Sequence, residues 1–209
     1  MDFRQRLAGG PPVLLDGATG TELERRGVST HLPLWSARAL EDAPEIVLNI
    51  HTEYVMAGAE VVTANTFRTN PRTLSRAGLG ERDVALTARA VALAREAADA
   101  AAHPCWVAGS VAPVEDCYHP ELVPSDFELE AEHRRHAANL KSAGVDFILI
   151  ETMNTAREAR AALGAAREAG LPAGACLLLR DSDHLMGGHA LEAAIEELAA
   201  LEPLFLGLN

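Results

Sequence analysis

Two carboxylates in this sequence come directly after short apolar runs. Glu151 leaves the run 147–150 in "FILIETM", and Asp16 follows "VLL" in "VLLDGATG". A carboxylate at the end of a buried strand is costly unless a cation or several hydrogen-bond donors meet it. Together the two carboxylates could hold a substrate ammonium group or act as an acid and base pair, and the residues alone leave both roles open. The alternative is local: Glu151 would cap the following helix, and Asp16 would belong to a simple turn.

The surrounding residues give weaker signals. Gly17, beside the first carboxylate, would let a backbone N–H group approach a ligand closely. His133 and His136 lie three residues apart in a helical stretch, a spacing that could bind a metal, but the arginines between them favour a solvated charged face. Cys117 and His119 lie in a proline-rich loop that we expect to cover the site.

The composition excludes several classes of partner. The chain has 209 residues, a formal net charge of -12 and a pI of about 5.1, so phosphate backbones and anionic lipid surfaces are repelled and nucleic acid is not expected as a partner. No apolar run has the length of a signal peptide core or a membrane span, which predicts no membrane association and a cytoplasmic location. Three widely spaced cysteines, Cys105, Cys117 and Cys176, indicate free thiols in a reducing compartment.

The elements that must position these residues alternate along the chain. Short β-rich apolar runs are separated by alanine-rich stretches with helical spacing. The six runs span residues 13–15, 61–63, 106–108, 147–150, 175–179 and 205–208. They are continuously apolar, which is typical of parallel strands buried on both faces. Gly58, Gly144 and Gly170 each end a helical stretch before the next run, so the sequence predicts successive βα units of an α/β fold.

Two α/β architectures compete, the doubly wound open sheet and the (β/α)8 TIM barrel. The turn "DGATGTE" lacks the full spacing of a dinucleotide-binding loop. Polar residues instead follow the predicted strands at one end: Asp16, Asn65 and Thr66, Ser110, Glu151 and Thr152, and Asn209. Barrel active sites are built at the C-terminal ends of the strands, so this pattern favours the barrel.

Six predicted strands are fewer than the eight that a barrel needs. We therefore expect one domain, residues 1–209, that contains about six βα units and is C-terminally incomplete. Its first and sixth strands would leave unpaired edges. These edges predict poor solubility of the chain alone, or pairing with the remaining units or with a second copy as a homo-oligomer.

Five segments, taken in order, resemble the signature segments of the homocysteine S-methyltransferase family. They are "VLLDGATGTELERRG", "LWSARALEDAPEIV", "AGAEVVTANTF", "VAGSVAPVEDCY" and "AGVDFILIETM". This family includes S-methylmethionine-, betaine- and methylfolate-dependent enzymes. The resemblance extends from about Val13 to Asn209 and implies a (β/α)8 barrel, of which this chain matches the N-terminal six βα units.

The resemblance also implies a homocysteine-binding site. It places Asp16, Gly17, Thr66, Glu151 and Asn209 where family members bind homocysteine, with the two carboxylates near its amino group. No residue is assigned a catalytic role. The resemblance further implies zinc as the cofactor of the complete enzyme, held by three cysteines that are not in this chain. The first of them is expected directly after Asn209, and the chain's own three cysteines are not assigned as ligands.

The implied function is methyl transfer from a small methyl donor to the zinc-activated thiol of homocysteine, giving methionine. Zinc matters here because a free thiol has a pKa near 8.5 and only the thiolate attacks a methyl group. The segment "LWSARAL" favours a donor of the S-methylmethionine or S-adenosylmethionine type. The alternative is a truncated, metal-free module that binds homocysteine without catalysis. A barrel lyase or aldolase is less favoured, since the only lysine, Lys141, lies in a helical stretch rather than at a strand end.

Overall fold

The structure, a computed structural model, describes residues 2–209. Within these residues the β-strands are Val61–Ala64 (β1), Trp106–Val111 (β2), Phe147–Met153 (β3), Ala173–Leu177 (β4) and Leu206–Leu208 (β5). The α-helices are Phe3–Ala8 (α1), Thr19–Arg25 (α2), Ala39–Asp42 (α3), Pro44–Met56 (α4), Pro71–Arg76 (α5), Asp83–Asp99 (α6), Asp126–Ala143 (α7), Ala156–Glu168 (α8) and Leu191–Ala199 (α9). Short 3-10 turns lie at Trp35–Arg38, Gly80–Arg82 and Pro120–Leu122.

The strands form one parallel sheet in the order β1-β2-β3-β4-β5. Each strand pairs with the strand before it in the chain, and one or more helices connect the two. The C-terminal ends of all the strands therefore lie at the same edge of the sheet, which is where the sequence predicts the site. The observed fold is α/β with a parallel sheet, as expected.

The first predicted strand, residues 13–15, is not a full strand. Leu15 makes a single parallel bridge with Val61, and the Asp16 N–H donates to the Val61 carbonyl oxygen at 3.0 Å. Pairing stops there because the Thr63 N–H donates to the Asp16 side chain, at 2.8 Å, instead of to a backbone carbonyl. The described residues thus contain five strands where six were predicted, and the first predicted strand is reduced to a single bridge. The other five predicted runs overlap strands, although β4 begins two residues before the predicted run.

Both faces of the sheet are buried against apolar side chains. On the helix-facing side, Val107 and Ile148 pack with residues of α6, α7 and α8. On the opposite side, Trp106 and Phe147 pack against α1, whose Phe3 ring stacks on Phe147 with centroids 4.1 Å apart and planes 8° apart. Burial on both faces explains why the strand sequences are continuously apolar.

Helix ends follow the sequence signals. Helix α7 begins with a capping box between Ser125 and Glu128 and ends at Gly144, whose φ of 88° is left-handed. The other two glycines predicted to end helices, Gly58 and Gly170, also have positive φ. No helix among residues 2–209 combines the length and apolar character needed to cross a bilayer.

Candidate active site at the C-terminal ends of the strands

A cavity of about 900 Å³ opens at the C-terminal ends of the strands. Its wall contains four of the five residues predicted to bind substrate: Asp16, Gly17, Glu151 and Asn209. The volume lies toward the upper end of the range found for small-molecule sites. The cavity can therefore accommodate more than one small ligand.

Asp16 is held against strand β1 by Thr63. Its Oδ2 accepts the Thr63 N–H at 2.8 Å, and its Oδ1 accepts the Thr63 hydroxyl at 2.7 Å. Burial raises the pKa of Asp16 to about 6, although these two hydrogen bonds act in the opposite direction. No basic side chain of the described residues is among the groups that shift this pKa. Asp16 is thus a carboxylate without a counter-charge.

Glu151 shares this cavity from the end of β3. Its Oε1 accepts the Ser110 hydroxyl at 2.5 Å. Burial raises the pKa of Glu151, the Ser110 bond lowers it, and the negative charge of Asp16 raises it further. The two carboxylates are therefore close enough to repel each other, and a cation between them would stabilise both charges.

The backbone beside Glu151 is strained. Thr152 has a φ of 60°, a left-handed conformation that is unfavourable for a β-branched residue, and the pairing of β3 with β4 is irregular between Ile150 and Met153. The Thr152 N–H donates to Oδ1 of Asn209 at 3.0 Å, which joins the ends of β3 and β5. Strain of this kind is typical of functional sites, where surrounding structure holds it in place.

Thr66 lies beneath the cavity rather than in its wall. Its side chain is fully buried, and its hydroxyl donates to the Ser110 carbonyl oxygen at 2.8 Å. Because the Ser110 hydroxyl in turn donates to Glu151, Thr66 supports the carboxylate through the strand β2. A direct contact between Thr66 and substrate stays a prediction.

The glycines after Asp16 leave room for aromatic rings. A Cβ on Gly17 would lie 2.6 Å from the Tyr54 hydroxyl oxygen, and one on Gly20 would collide with the Trp35 indole ring. Trp35 lines the cavity, as do both glycines. The Gly-rich turn is thus required for packing, and the close approach of a ligand to it stays a prediction.

Two residues of the site had no role assigned from the sequence. Thr63 holds Asp16, and its signal in the sequence is a hydroxyl within the apolar run "VVTA". Arg68 lines the cavity from the segment after β1, where nothing in the local pattern marks it. The loop after β2 covers the site as predicted, through Asp116, Cys117 and Tyr118.

The cysteines do not form a metal site. Cys117 and Cys176 line the cavity, whereas Cys105 lies at the other end of the sheet, with its sulfur 3.6 Å from the Ala59 carbonyl oxygen. Burial raises the pKa of Cys105 and of Cys176 to about 11, so both thiols stay protonated at neutral pH. Among residues 2–209 no group of three or more His, Cys, Asp or Glu side chains could hold a metal ion.

The prediction that His133 and His136 lie on a solvated face is wrong. Both are buried, His133 against α8 and His136 against β2, whereas the arginines between them are exposed. His133 Nε2 lies 3.3 Å from Glu158 Oε1, and His136 Nε2 lies 3.4 Å from the Ser110 carbonyl oxygen. The three-residue spacing places both histidines on one helix face, and packing decided which face it was.

Comparison with known proteins gives a consistent result. The family model described as homocysteine S-methyltransferase matches residues 13–209. The chain is 34% identical to the homocysteine S-methyltransferase of Escherichia coli over an alignment that covers 94% of the chain and 68% of that enzyme. It is 30% identical to the homocysteine S-methyltransferase YbgG of Bacillus subtilis, where the alignment covers 72% of the chain and 53% of the enzyme.

A solved structure gives the same match in three dimensions. The metallated form of the homocysteine methyltransferase MmuM from Escherichia coli superposes with a TM-score of 0.90 at 32% sequence identity. The superposition covers 99% of this chain and 77% of that one. The parallel sheet and the helices between its strands are thus shared with a protein of known structure.

Proposed function

The chain belongs to the homocysteine S-methyltransferase family, and on this basis we propose that the whole protein transfers a methyl group from a small donor to the thiol of homocysteine, giving methionine. The relatives described above are all named as methyltransferases, which favours catalysis over the metal-free binding module. The donor that we propose is S-methylmethionine or S-adenosylmethionine, because the segment "LWSARAL" resembles enzymes of that type.

The pair of buried carboxylates without a counter-charge is the observation that carries this proposal. Homocysteine is an α-amino acid, and its ammonium group supplies the cation that Asp16 and Glu151 lack. An ammonium group between them lowers the pKa of both and offsets the cost of burying two negative charges. Methyl transfer needs no proton exchange at carbon, so a clamp for the amino group suits this reaction better than an acid and base pair.

We assign the remaining predicted residues to secondary contacts with homocysteine. Gly17 offers a backbone N–H beside Asp16, and Asn209 lies in the cavity wall. Thr66 acts through Ser110, whose hydroxyl orients the Glu151 carboxylate. These residues bind and orient the amino acid, and none of them touches the reacting bond in this assignment.

The transfer itself is a displacement at the methyl carbon. The homocysteine sulfur attacks the methyl group of a sulfonium donor while the bond from that methyl group to the donor sulfur breaks. The electron pair of the broken bond stays on the donor sulfur, which leaves as a neutral thioether. The thiol proton of homocysteine is lost to solvent. By fixing the amino end of homocysteine, Asp16 and Glu151 hold the acceptor sulfur in one place, which reduces the entropy cost of bringing the reactants together.

The described residues do not fit a zinc site, and we assign no step to the metal. No metal-binding group lies among residues 2–209, and the thiols of Cys105 and Cys176 are protonated. The family resemblance places the three zinc-binding cysteines outside residues 1–209, and the Escherichia coli structure is a metallated form. We propose that the whole protein binds zinc through such cysteines, and bound zinc would keep the homocysteine thiol deprotonated.

We also propose that residues 1–209 form the homocysteine-binding part of a (β/α)8 barrel. Consecutive parallel strands joined by helices, with the cavity at their C-terminal ends, support this architecture. The superposition on the Escherichia coli enzyme supports it further. A cytoplasmic location and self-association through the outer strands stay predictions.

The proposal is tested with the full-length, zinc-supplied protein. Homocysteine is incubated with S-methylmethionine or with S-adenosylmethionine in separate reactions, and methionine and the demethylated donor are quantified. We expect turnover with at least one donor, and S-methylmethionine must yield methionine from both donor and acceptor. Cysteine serves as the control acceptor, since its shorter side chain leaves the sulfur short of the donor. A folded, zinc-containing protein that forms no methionine with either donor would refute the proposal.

A further inference from the structure

A buried arginine in the wall of the cavity, Arg68, forms no ion pair with an acidic side chain among residues 2–209. Arg68 is only 9% exposed, and its side chain lines the same cavity as the two carboxylates. Its Nη1 donates to the Glu115 carbonyl oxygen at 3.2 Å, while its Nε is buried with no hydrogen-bond partner. The Glu115 carboxylate pairs instead with Arg72 and Arg76, each at 2.6 Å. The guanidinium of Arg68 is thus buried, charged and incompletely bonded.

Arg68 follows β1 and contacts the loop after β2, whereas the Asp16 carboxylate is held by Thr63 and the Glu151 carboxylate by Ser110. The pKa of Arg68 is lowered by burial, and the acidic groups that act against this lowering are Cys117, Asp116 and Glu115, all in the loop after β2. Among the described residues that line the cavity, Arg68 is the only basic one, and the acidic ones are Asp16, Glu151 and Asp116 of the loop after β2.

The ammonium and carboxylate groups of homocysteine are bonded to the same carbon atom, so a homocysteine held between Asp16 and Glu151 keeps its carboxylate close to them. The cavity has room for a second ligand. The anionic group that a sulfonium methyl donor can offer to Arg68 is a carboxylate. A planar guanidinium with free N–H groups binds a carboxylate well, because two parallel hydrogen bonds can form.

The neighbours of Arg68 fit the rest of such a donor. The guanidinium carbon of Arg68 lies over the Phe67 ring, 5.3 Å from the centroid of that ring. Phe67 in turn makes an edge contact with the Trp35 ring. Both aromatic rings line the cavity. A positively charged sulfonium is attracted to aromatic faces, so an aromatic wall next to an arginine suits a ligand with a sulfonium and a carboxylate.

We propose that Arg68 binds the carboxylate of the methyl donor, so that the site selects sulfonium donors that carry one. This inference rests on the proposed function and deepens it, since it names the donor class and the residue that recognises it. Arg68 binds the donor and takes no part in breaking or forming bonds.

The test compares Arg68→Met with Arg68→Lys in the full-length, zinc-supplied enzyme. We expect Arg68→Met to raise KM for S-methylmethionine by at least about tenfold and to leave KM for homocysteine within about twofold. Arg68→Lys keeps the charge and should recover part of the loss. The trimethylsulfonium ion, which has no carboxylate, should react equally well with the native enzyme and Arg68→Met. Arg72→Met is the matched control, because Arg72 contacts the same loop outside the cavity and Arg76 still neutralises Glu115.

Three results would overturn the proposal: a raised KM for homocysteine with an unchanged KM for S-methylmethionine, no change in either, or an equal loss with trimethylsulfonium. If circular dichroism shows that Arg68→Met does not fold, KM for S-methylmethionine and KM for homocysteine are compared between Arg68→Lys and the native enzyme instead. If the native enzyme transfers no methyl group, the proposed function fails and Arg68 is tested by binding alone. Titration of Trp35 fluorescence with S-methylmethionine must then show weaker binding to the variant than to the native chain, and equal binding would refute the role of Arg68.

Discussion

Glu60 and Asp16 both lie next to strand β1, yet their carboxylates are held in different ways. Glu60 directly precedes the strand at its N-terminal end, and Asp16 lies beside Thr63 toward its C-terminal end. Arg6 Nε and Nη2 donate to the two Glu60 carboxylate oxygens at 2.7 and 2.8 Å, and this contact is the main reason that the pKa of Glu60 is lowered. Asp16 has only the hydrogen bonds from Thr63, and burial raises its pKa.

The difference separates an end of the sheet where the carboxylate is ion-paired and stabilises the fold from an end where two buried carboxylates have raised pKa values, as the proposed site requires. At the N-terminal end, α1 packs Phe3 against Phe147 and pairs Arg6 with Glu60. At the C-terminal end, Asp16 and Glu151 repel each other and Thr152 is strained. Sites of this kind reduce stability, and the loss is offset elsewhere in the fold.

The largest expected effect is on stability, from the N-terminal end. Phe3→Ala removes a ring that is 5% exposed and stacks on Phe147, and it should lower the free energy of unfolding by about 3–4 kcal/mol. KM for homocysteine should stay within about twofold, because Phe3 is remote from the cavity. Phe127→Ala is the matched control: Phe127 is 82% exposed, so the expected loss is below about 0.5 kcal/mol. Urea unfolding measures the free energy of unfolding of both variants. Equal losses in the two would contradict the stabilising role of Phe3.

The second effect is on binding, from the C-terminal end. Glu151→Gln keeps the shape of the side chain and removes the negative charge, so kcat/KM should fall about 100-fold, mainly through KM for homocysteine. Stability should not fall, since a neutral amide is less costly to bury than an unpaired carboxylate. Glu60→Gln is the matched control at the other end: it should leave kcat/KM unchanged and slightly lower stability. Steady-state kinetics and urea unfolding are measured on both variants. If Glu151→Gln lowers stability and leaves KM for homocysteine normal, Glu151 stabilises the fold rather than binds substrate.

The smallest expected effect is a pH dependence with opposite signs at the two ends. In the proposed clamp homocysteine binds the ionised form of Asp16, so KM should rise as the pH falls through about 6, by about tenfold per pH unit at most, and Asp16→Asn should remove this dependence. The amide can replace both contacts with Thr63, accepting from its N–H and donating to its hydroxyl oxygen. A KM profile for the Asn variant that still bends near pH 6 would show that another group titrates.

Stability should follow the same contrast. The folded pKa of Asp16 lies above its unfolded value of about 3.9, so its protonation favours the folded state, and its contribution to stability rises as the pH falls from 7 to 4. The folded pKa of Glu60 is lowered, so its contribution is present above the unfolded pKa and is lost as the pH falls through the folded one. Urea unfolding of Asp16→Asn between about pH 4 and pH 7, and of Glu60→Gln from about pH 5 down to about pH 3, isolates the two contributions.

Some features of the site could be predicted from local sequence. Glu151 directly follows an apolar run, and in a parallel sheet such a position must lie at the C-terminal edge. The same reasoning placed Asp16, although the run before it makes only one bridge with Val61. Thr66 shows the limit of the argument: it follows a strand as Glu151 does, but its side chain points beneath the cavity.

Periodicity identifies a helix face without saying what covers it. His133 and His136 share a face of α7, and the charged residues between them suggested solvent. In the fold that face is buried between α8 and the sheet, where His133 lies beside Glu158 of α8 and His136 beside the Ser110 carbonyl oxygen of β2. No pattern within α7 contains this information, because both partners are distant in sequence.

The sequence by itself determined the alternation of strands and helices, the shared edge at which polar residues gather, and the membership of the chain in its family. These follow from apolar periodicity, glycine positions and motif order, all of which are local. Only the tertiary structure decided that Asp16 ends the pairing of its own strand by accepting from Thr63, and that the buried Nε of Arg68 has no hydrogen-bond partner among residues 2–209. The physical reason is that hydrogen bonding and burial depend on side chains that are distant along the chain and become neighbours only in the folded state.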